Sequence, residues 1–177
     1  MGTWRSKDKL QQNVRLDDVD EKILWELVGD SRIPNNLLAE RVGVSPSTTI
    51  ARVRALRDSG VLQSFNAQVD LAALGLPLQA MIAVRLKMHA RSEAQAYLRR
   101  ALLLPPVVSI MYMGGPDDFL IHAACTSSDH LRDFVSQSLG ADPAVASTQT
   151  SIVFDHLIGA QHMNHLDSWD DVRTRIS

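Results

Sequence analysis

The chain of 177 residues is 45% hydrophobic and 21% charged, with a formal net charge of −2. This is enough apolar material for one large or two small cored domains, and a near-neutral balance excludes indiscriminate coating of nucleic acid, so any DNA contact must come from a local patch. The single cysteine, Cys125, excludes an intramolecular disulfide; no apolar run approaches the roughly 20 residues that cross a bilayer, and no secretory h-region opens the chain, so a cytoplasmic protein without a membrane partner is expected.

Residues 1–15 are polar, carry Arg5, Lys7, Lys9 and Arg15, and read as a flexible arm. Asp17 is placed to cap a helix whose apolar face is Val19, Ile23, Leu24, Leu27 and Val28. From Asn36 to Gly60 two short helical patterns meet at a tight turn, Gly43-Val44. The first has Leu38 and Val42 on one face. The second opens with Ser45 as N-cap and Pro46 at the first helical position, repeats Ile50, Val53 and Leu56, and stops at Gly60. Off that stripe lie Ser47, Thr48, Thr49, Arg52, Arg54 and Arg57, with no acid before Asp58. A cationic, hydroxyl-rich second helix is the usual means of reading a major groove. In that role Arg52, Arg54 and Arg57 contact phosphates or guanine edges, while Ser45, Ser47, Thr48 and Thr49, near the helix start, face base edges and adjacent backbone. The same pattern also describes an ordinary surface hairpin with a solvated arginine face. Val61 to Val69 is extended in character, a small strand or wing.

The second half reads as βαββαβ. Ile82, Val84, Leu86 and Met88 alternate with Ala83, Arg85 and Lys87. Ser92 opens a helix with stripe Ala94, Tyr97, Leu98, Ala101 and Leu102, and Pro105-Pro106 stops it. Val107–Met113 and Asp118–Thr126 flank the turn Gly114-Gly115-Pro116-Asp117 as a hairpin. Ser128 opens a second helix with Leu131, Phe134, Val135 and Leu139 inward, and Thr148–Phe154 is the last strand. The expected fold is α+β: an N-terminal winged helix-turn-helix (16–69), a linker (70–78), a C-terminal ferredoxin-like βαββαβ domain (79–156) and an extension (157–177). Both helices cover one sheet face, yet Val107, Met111, Met113, Leu120 and Val153 are read on the other, which then needs a second cover; another copy of the chain would supply it.

Enzyme chemistry is not expected. The six histidines are scattered, and His162 and His165 alone have ligand-like spacing, without a nearby cysteine or carboxylate set. Cys125 lies in an apolar run, and no phosphate loop, nucleophile elbow or dinucleotide fingerprint occurs, so neither cofactor nor metal is anticipated.

Three stretches carry a likeness to a known family: LDDVDEKILWEL; LAERVGVSPSTTIARVRAL with Asp58-Ser59-Gly60-Val61-Leu62 after it; and GGPDDFLI with the later TQTSIVF. From about Leu16 to Phe154 the chain resembles the Lrp/AsnC (feast/famine) transcription regulators. The resemblance implies a winged helix–turn–helix that binds double-stranded DNA and a βαββαβ effector domain. It also implies homodimers that assemble further, commonly to octamers, and an amino acid or similar small effector bound between dimers. The effector loop of the family matches Gly114, Gly115, Pro116 and Asp117, flanked by Met113 and Asp118, with Thr148, Thr150 and Ser151 on the last strand. Asp117 or Asp118 could take an ammonium, and glycine N–H groups or hydroxyls a carboxylate. Gly-Gly-Pro-Asp is also simply a good turn sequence. Two departures stand out: Pro34 replaces a common capping serine, leaving Asn35 or Asn36 to cap, and Ser64 replaces a common glycine. A sensing module with little DNA-binding role is the alternative reading of the whole.

Overall fold

The structure is a computed structural model describing residues 16–156; the arm 1–15 and the extension 157–177, with His162, His165 and Trp169, lie outside the described residues. Among the described residues no helix is long and apolar enough to cross a membrane. The chain divides between Ala67 and Gln68 into two compact units, each taken here by itself.

The first unit is three helices: α1 (Asp18–Gly29), α2 (Asn35–Val42) and α3 (Pro46–Asp58). Asp17 caps α1, its carboxylate accepting from the Val19 and Asp20 N–H groups while the Asp20 carboxylate reaches back to the Asp17 N–H, a reciprocal box. Ile23, Leu24 and Leu27 of α1, Ile33, Leu38 and Val42 around α2, and Leu56 of α3 bury one another. Neither Asn35 nor Asn36 caps α2: Pro34 occupies the N-cap position without a side-chain bond, and the Asn35 amide donates instead to the Pro46 carbonyl at 3.0 Å. Val61–Val69 pairs with no strand among the described residues, so the stretch expected as a wing is irregular; Val61 and Leu62 pack back onto the helical core.

The second unit is a four-stranded antiparallel sheet of order β2-β3-β1-β4, with β1 Leu78–Leu86, β2 Val107–Tyr112, β3 Phe119–Cys125 and β4 Val145–Val153. A 3₁₀ stretch, Met88–Glu93, leads into α4 (Ala94–Ala101), so Ser92 does not cap the helix; its hydroxyl donates to the His89 carbonyl. Met88, read as a strand position, is 84% exposed. Ser127 rather than Ser128 caps α5 (Ser128–Asp133), which continues as a π-helical stretch, Phe134–Leu139.

Both helices cover one face. Ala80, Ile82, Val84 and Leu86 of β1 and Phe119, Ile121, Ala123 and Cys125 of β3 form the buried core with Tyr97, Leu98, Leu131, Phe134 and Leu139. Val107 also packs on this side, contrary to the sequence reading: the register shift after it, at Val108, inserts one residue before Ser109 and reverses the alternation that follows. The opposite face carries Gln79, Met81, Ala83 and Arg85 from β1, Leu120, His122 and Ala124 from β3, and Ser109 and Met111 from β2. There the His122 Nε2 lies 2.8 Å from the Gln79 Oε1 and the ring meets His156 edge-on.

Burial, and secondarily the neighbouring His156, hold the His122 imidazole below the ordinary histidine value of 6.5. The unfolded chain therefore binds this proton more readily than the folded one. Stability from His122 is complete above pH 6.5 and is lost as pH falls through the lower folded value. Thermal melts from pH 7.5 to 5 should show a decline that His122→Gln makes shallower.

Candidate nucleic-acid interface and effector site

Gly43, left-handed at φ 75°, turns the chain out of α2, and its N–H and that of Val44 both donate to the Ala39 carbonyl. The Ser45 hydroxyl accepts from the Thr48 N–H at 3.2 Å and lies 3.0 Å from the Ser47 and 2.7 Å from the Thr48 hydroxyls, so this cluster fixes the start of α3. Gly60, at φ 74°, ends the turn after α3 as expected.

The face that α3 buries differs from the expected one by one residue. Thr49 is fully buried with Leu56, while Ile50 is 53% exposed. Thr49 donates its hydroxyl to the Ser45 carbonyl at 3.1 Å, which removes the penalty of a buried unpaired group. It cannot also face base edges. With Thr49, Val53 and Leu56 inward, helical spacing puts Ser47, Ala51, Arg54 and Asp58 along the outer ridge, with Thr48 and Ala55 on one flank and Ile50 and Arg57 on the other. Arg57 lies over the Phe65 ring, 5.8 Å from its centroid. A groove of about 670 Å³ runs beside this flank, with Ile50, Arg54, Arg57 and Phe65 among its walls.

Arg52 leaves the basic ridge. Its guanidinium meets Asp17 at 2.7 Å and Asp20 at 2.8 Å, tying α3 to the first turn of α1. The Asp20 backbone N–H and then Arg52 hold the Asp17 carboxyl below its ordinary 3.8. Nothing in sequence spacing marks this contact, which joins residues 35 and 32 positions apart. The free cations of the face are therefore Arg54 and Arg57.

In the second unit, Met113 donates its N–H to the Asp118 carbonyl and closes the hairpin over Gly114–Asp117. Gly115 has φ 145°, and a Cβ on either glycine would meet nothing within 4 Å, so the turn is open to approach. Asp118 is no free anion: one carboxylate oxygen accepts from the Leu86 N–H at 2.8 Å, the other pairs with Arg91 at 3.2 Å, and the side chain is 13% exposed. Asp117 is the more open, 3.6 Å from Arg85. The expected site residues on β4 do not share a face. Thr148 and Thr150 pair with Val84 and Ile82 on the helix side, whereas Ser151 pairs with Met81 on the open side; Ser147 and Gln149 join it there. β4 is also separated from β3 by β1, about 10 Å at two strand spacings. One chain alone does not gather the hairpin and β4 residues into a single pocket.

Cys125 is fully buried, and burial pushes its thiol pKa up, which is unfavourable to a nucleophile. Among the described residues no three His, Cys, Asp or Glu side chains could hold a metal ion.

Residues 16–63 match the winged helix-turn-helix DNA-binding model, and residues 79–162 match the Lrp/AsnC ligand binding domain. The HTH-type transcriptional regulator AldR of Mycolicibacterium smegmatis is 46% identical over 145 residues, spanning 82% of this chain and 85% of that protein. The chain belongs to the Lrp/AsnC family. Among solved structures similar to this Lrp/AsnC regulator, MtbAldR gives a TM-score of 0.74 at 41% identity, covering 85% of this chain and 99% of that one. The L-Met complex of transcriptional regulator NMB0573 from Neisseria meningitidis gives 0.75 at 30% identity, covering 86% and 99%.

Arg52→Met should lower the melting temperature, and a double-mutant cycle with Asp20→Asn should return a favourable coupling between the two positions. Arg54→Met should change stability by no more than about 0.5 kcal/mol. Chemical denaturation of the native chain and these variants measures both.

Proposed function

We propose that this regulator binds specific DNA sites as a homodimer or larger assembly in the cytoplasm. In this reading its occupancy or assembly responds to an amino acid or related small molecule held where copies meet, and it performs no catalysis. The observation that carries the DNA half is the exposed ridge Ser47–Ala51–Arg54 with Arg57 beside it, on a helix whose far side is anchored in the core. Alanines at 51 and 55 leave the helix backbone free to come close to a groove floor, the Ser47 and Thr48 hydroxyls stand at its leading end, and Arg54 and Arg57 reach bases or phosphates. The same exposed cations disfavour the alternative of a sensor without a DNA role. One short helix buries too little for tight binding, so paired half-sites about one helical turn apart are expected.

A second copy is supported by the open sheet face. Met81, Ala83 and Leu120 are apolar, lie opposite the helices and stay part-exposed. The effector half rests on the open Gly114–Gly115 turn and Asp117, and on the solved L-Met complex of the Neisseria meningitidis relative. Because β4 and the hairpin are apart in one chain, residues Thr148, Thr150 and Ser151 could join Met113–Asp118 only across copies.

Arg54→Ala should weaken binding to operator DNA by about 1–3 kcal/mol if it reads a base, or lower the salt slope by about one if it holds a phosphate; Thr49→Val should do neither. Gel shift at three salt concentrations decides, and full binding by Arg54→Ala would refute the ridge. In sedimentation at micromolar concentration, the native chain should be at least dimeric and Leu120→Arg monomeric.

A further inference from the structure

We propose that residues 166–172 of this chain dock in the groove beside α3, Trp169 seating against Ile50 and Phe65 while Asp170 and Asp171 meet Arg54 and Arg57, and so close the reading face to DNA. This rests on the DNA-binding reading above and adds a self-inhibiting contact to it.

A helix that reads a polyanion needs cations and hydroxyls, not apolar surface. Beside Arg54 and Arg57 the groove nevertheless exposes Ile50 and Phe65, at 53% and 42%, with Leu62 also in its walls. Single exposed apolar residues are ordinary. Several converging on one cleft of about 670 Å³, the size of ligand clefts, mark a binding surface. Asp58 is the one acid among the residues that line it, against two arginines. A fitting occupant carries both an apolar body and negative charge. Arg57 already lies over the Phe65 ring, 5.8 Å from its centroid, and an indole on its other side, the best aromatic partner for a guanidinium, would complete a stack.

The sequence outside the described residues supplies one stretch of that chemistry. Leu166, Trp169 and Val172 recur at every third position with Asp167, Asp170 and Asp171 between them, and no Lys or Arg occurs from 157 to 172. The arm 1–15 also holds a tryptophan, Trp4, but carries Arg5, Lys7, Lys9 and Arg15 against Asp8 alone, so the same two arginines repel it. The match to the ligand binding domain ends at residue 162, which leaves 166–172 outside the part that the domain accounts for. Residues 157–166, extended, span about 35 Å, well over the roughly 13 Å radius of gyration of a 100-residue unit. Tethering keeps the segment at high effective concentration, so one aromatic contact and two charge pairs suffice to hold it. Its acids take the cations that DNA phosphates would take, and segment and DNA exclude one another.

The test uses the full chain and an operator duplex selected by the native protein from genomic fragments. With the segment docked in about nine chains of ten, Trp169→Ala should tighten DNA binding about tenfold, since apparent affinity scales with the open fraction. This change alters no charge, so a diffuse repulsion of DNA by the acids predicts no effect. Ile50→Ser should tighten binding likewise, and the double variant no further than either alone. A fluorescein-labelled peptide of residues 163–173 should bind the Trp169→Ala chain in anisotropy and release its DNA, and should not bind the double variant. DNA binding by Trp169→Ala equal to or weaker than that of the native chain, or gains that add in the double variant, overturns the proposal. Capture of a peptide of residues 1–15 in place of 163–173 assigns the groove to the arm and overturns it too. If none of the four proteins retains a duplex, the DNA-binding reading fails; peptide binding that Ile50→Ser abolishes then still supports the dock, and its absence overturns it.

Discussion

The first turn of α1 sets the pose of α3. Asp17 and Asp20 cap their own helix and also receive the Arg52 guanidinium. A helix start favours negative charge, so the carboxylates are stabilised there before the arginine arrives, and the arginine then fixes the azimuth of α3 about its axis. Hydrophobic burial through Leu56 and Val53 holds α3 to the core without dictating rotation closely, since apolar contact has little directional preference. The directional part comes from the clamp on one side and the Thr49–Ser45 bond on the other. Together they leave Ser47, Ala51 and Arg54 outward.

In the second unit the comparable constraint is the pleat. Side chains alternate, so the buried row Ala80, Ile82, Val84 and Leu86 forces Met81, Ala83 and Arg85 to the uncovered face. One face becomes core and the other a surface that is apolar in its middle and charged at the hairpin end. On the proposed reading, assembly would belong to the apolar middle of that face.

Much of this was visible in the amino-acid order. Ser45, Pro46, Gly43 and Gly60 are punctuation with local causes, and they mark α3 correctly. The sheet topology followed from the six elements of the βαββαβ order and their turns. What escaped needed information from elsewhere in the chain. Thr49 and Ile50 are both compatible with the inner face by spacing, and only the contact with α1 and α2 chooses the smaller, self-bonded residue. Arg52 looks like its basic neighbours until the acids of α1 are brought beside it. The faces of Thr148, Thr150 and Ser151 depend on which residue of β1 each opposes, and the side of Val107 depends on a bulge; neither is encoded within its own strand. Asp117 and Asp118 are identical in type, and only the fold separates them.

The π-helical stretch after α5 has a consequence of its own. Leu131 and Phe134 reach the core at ordinary spacing, but the next fully inward residue is Leu139, five further on, and the Gly140 N–H bonds to the Val135 carbonyl, the wide-turn pattern. Such a turn is one residue of slack wound into a helix. This segment can therefore shed a residue between Val135 and Ser138, tighten to an α-helix and still deliver Leu139 to its seat, leaving the strand pairing as it is.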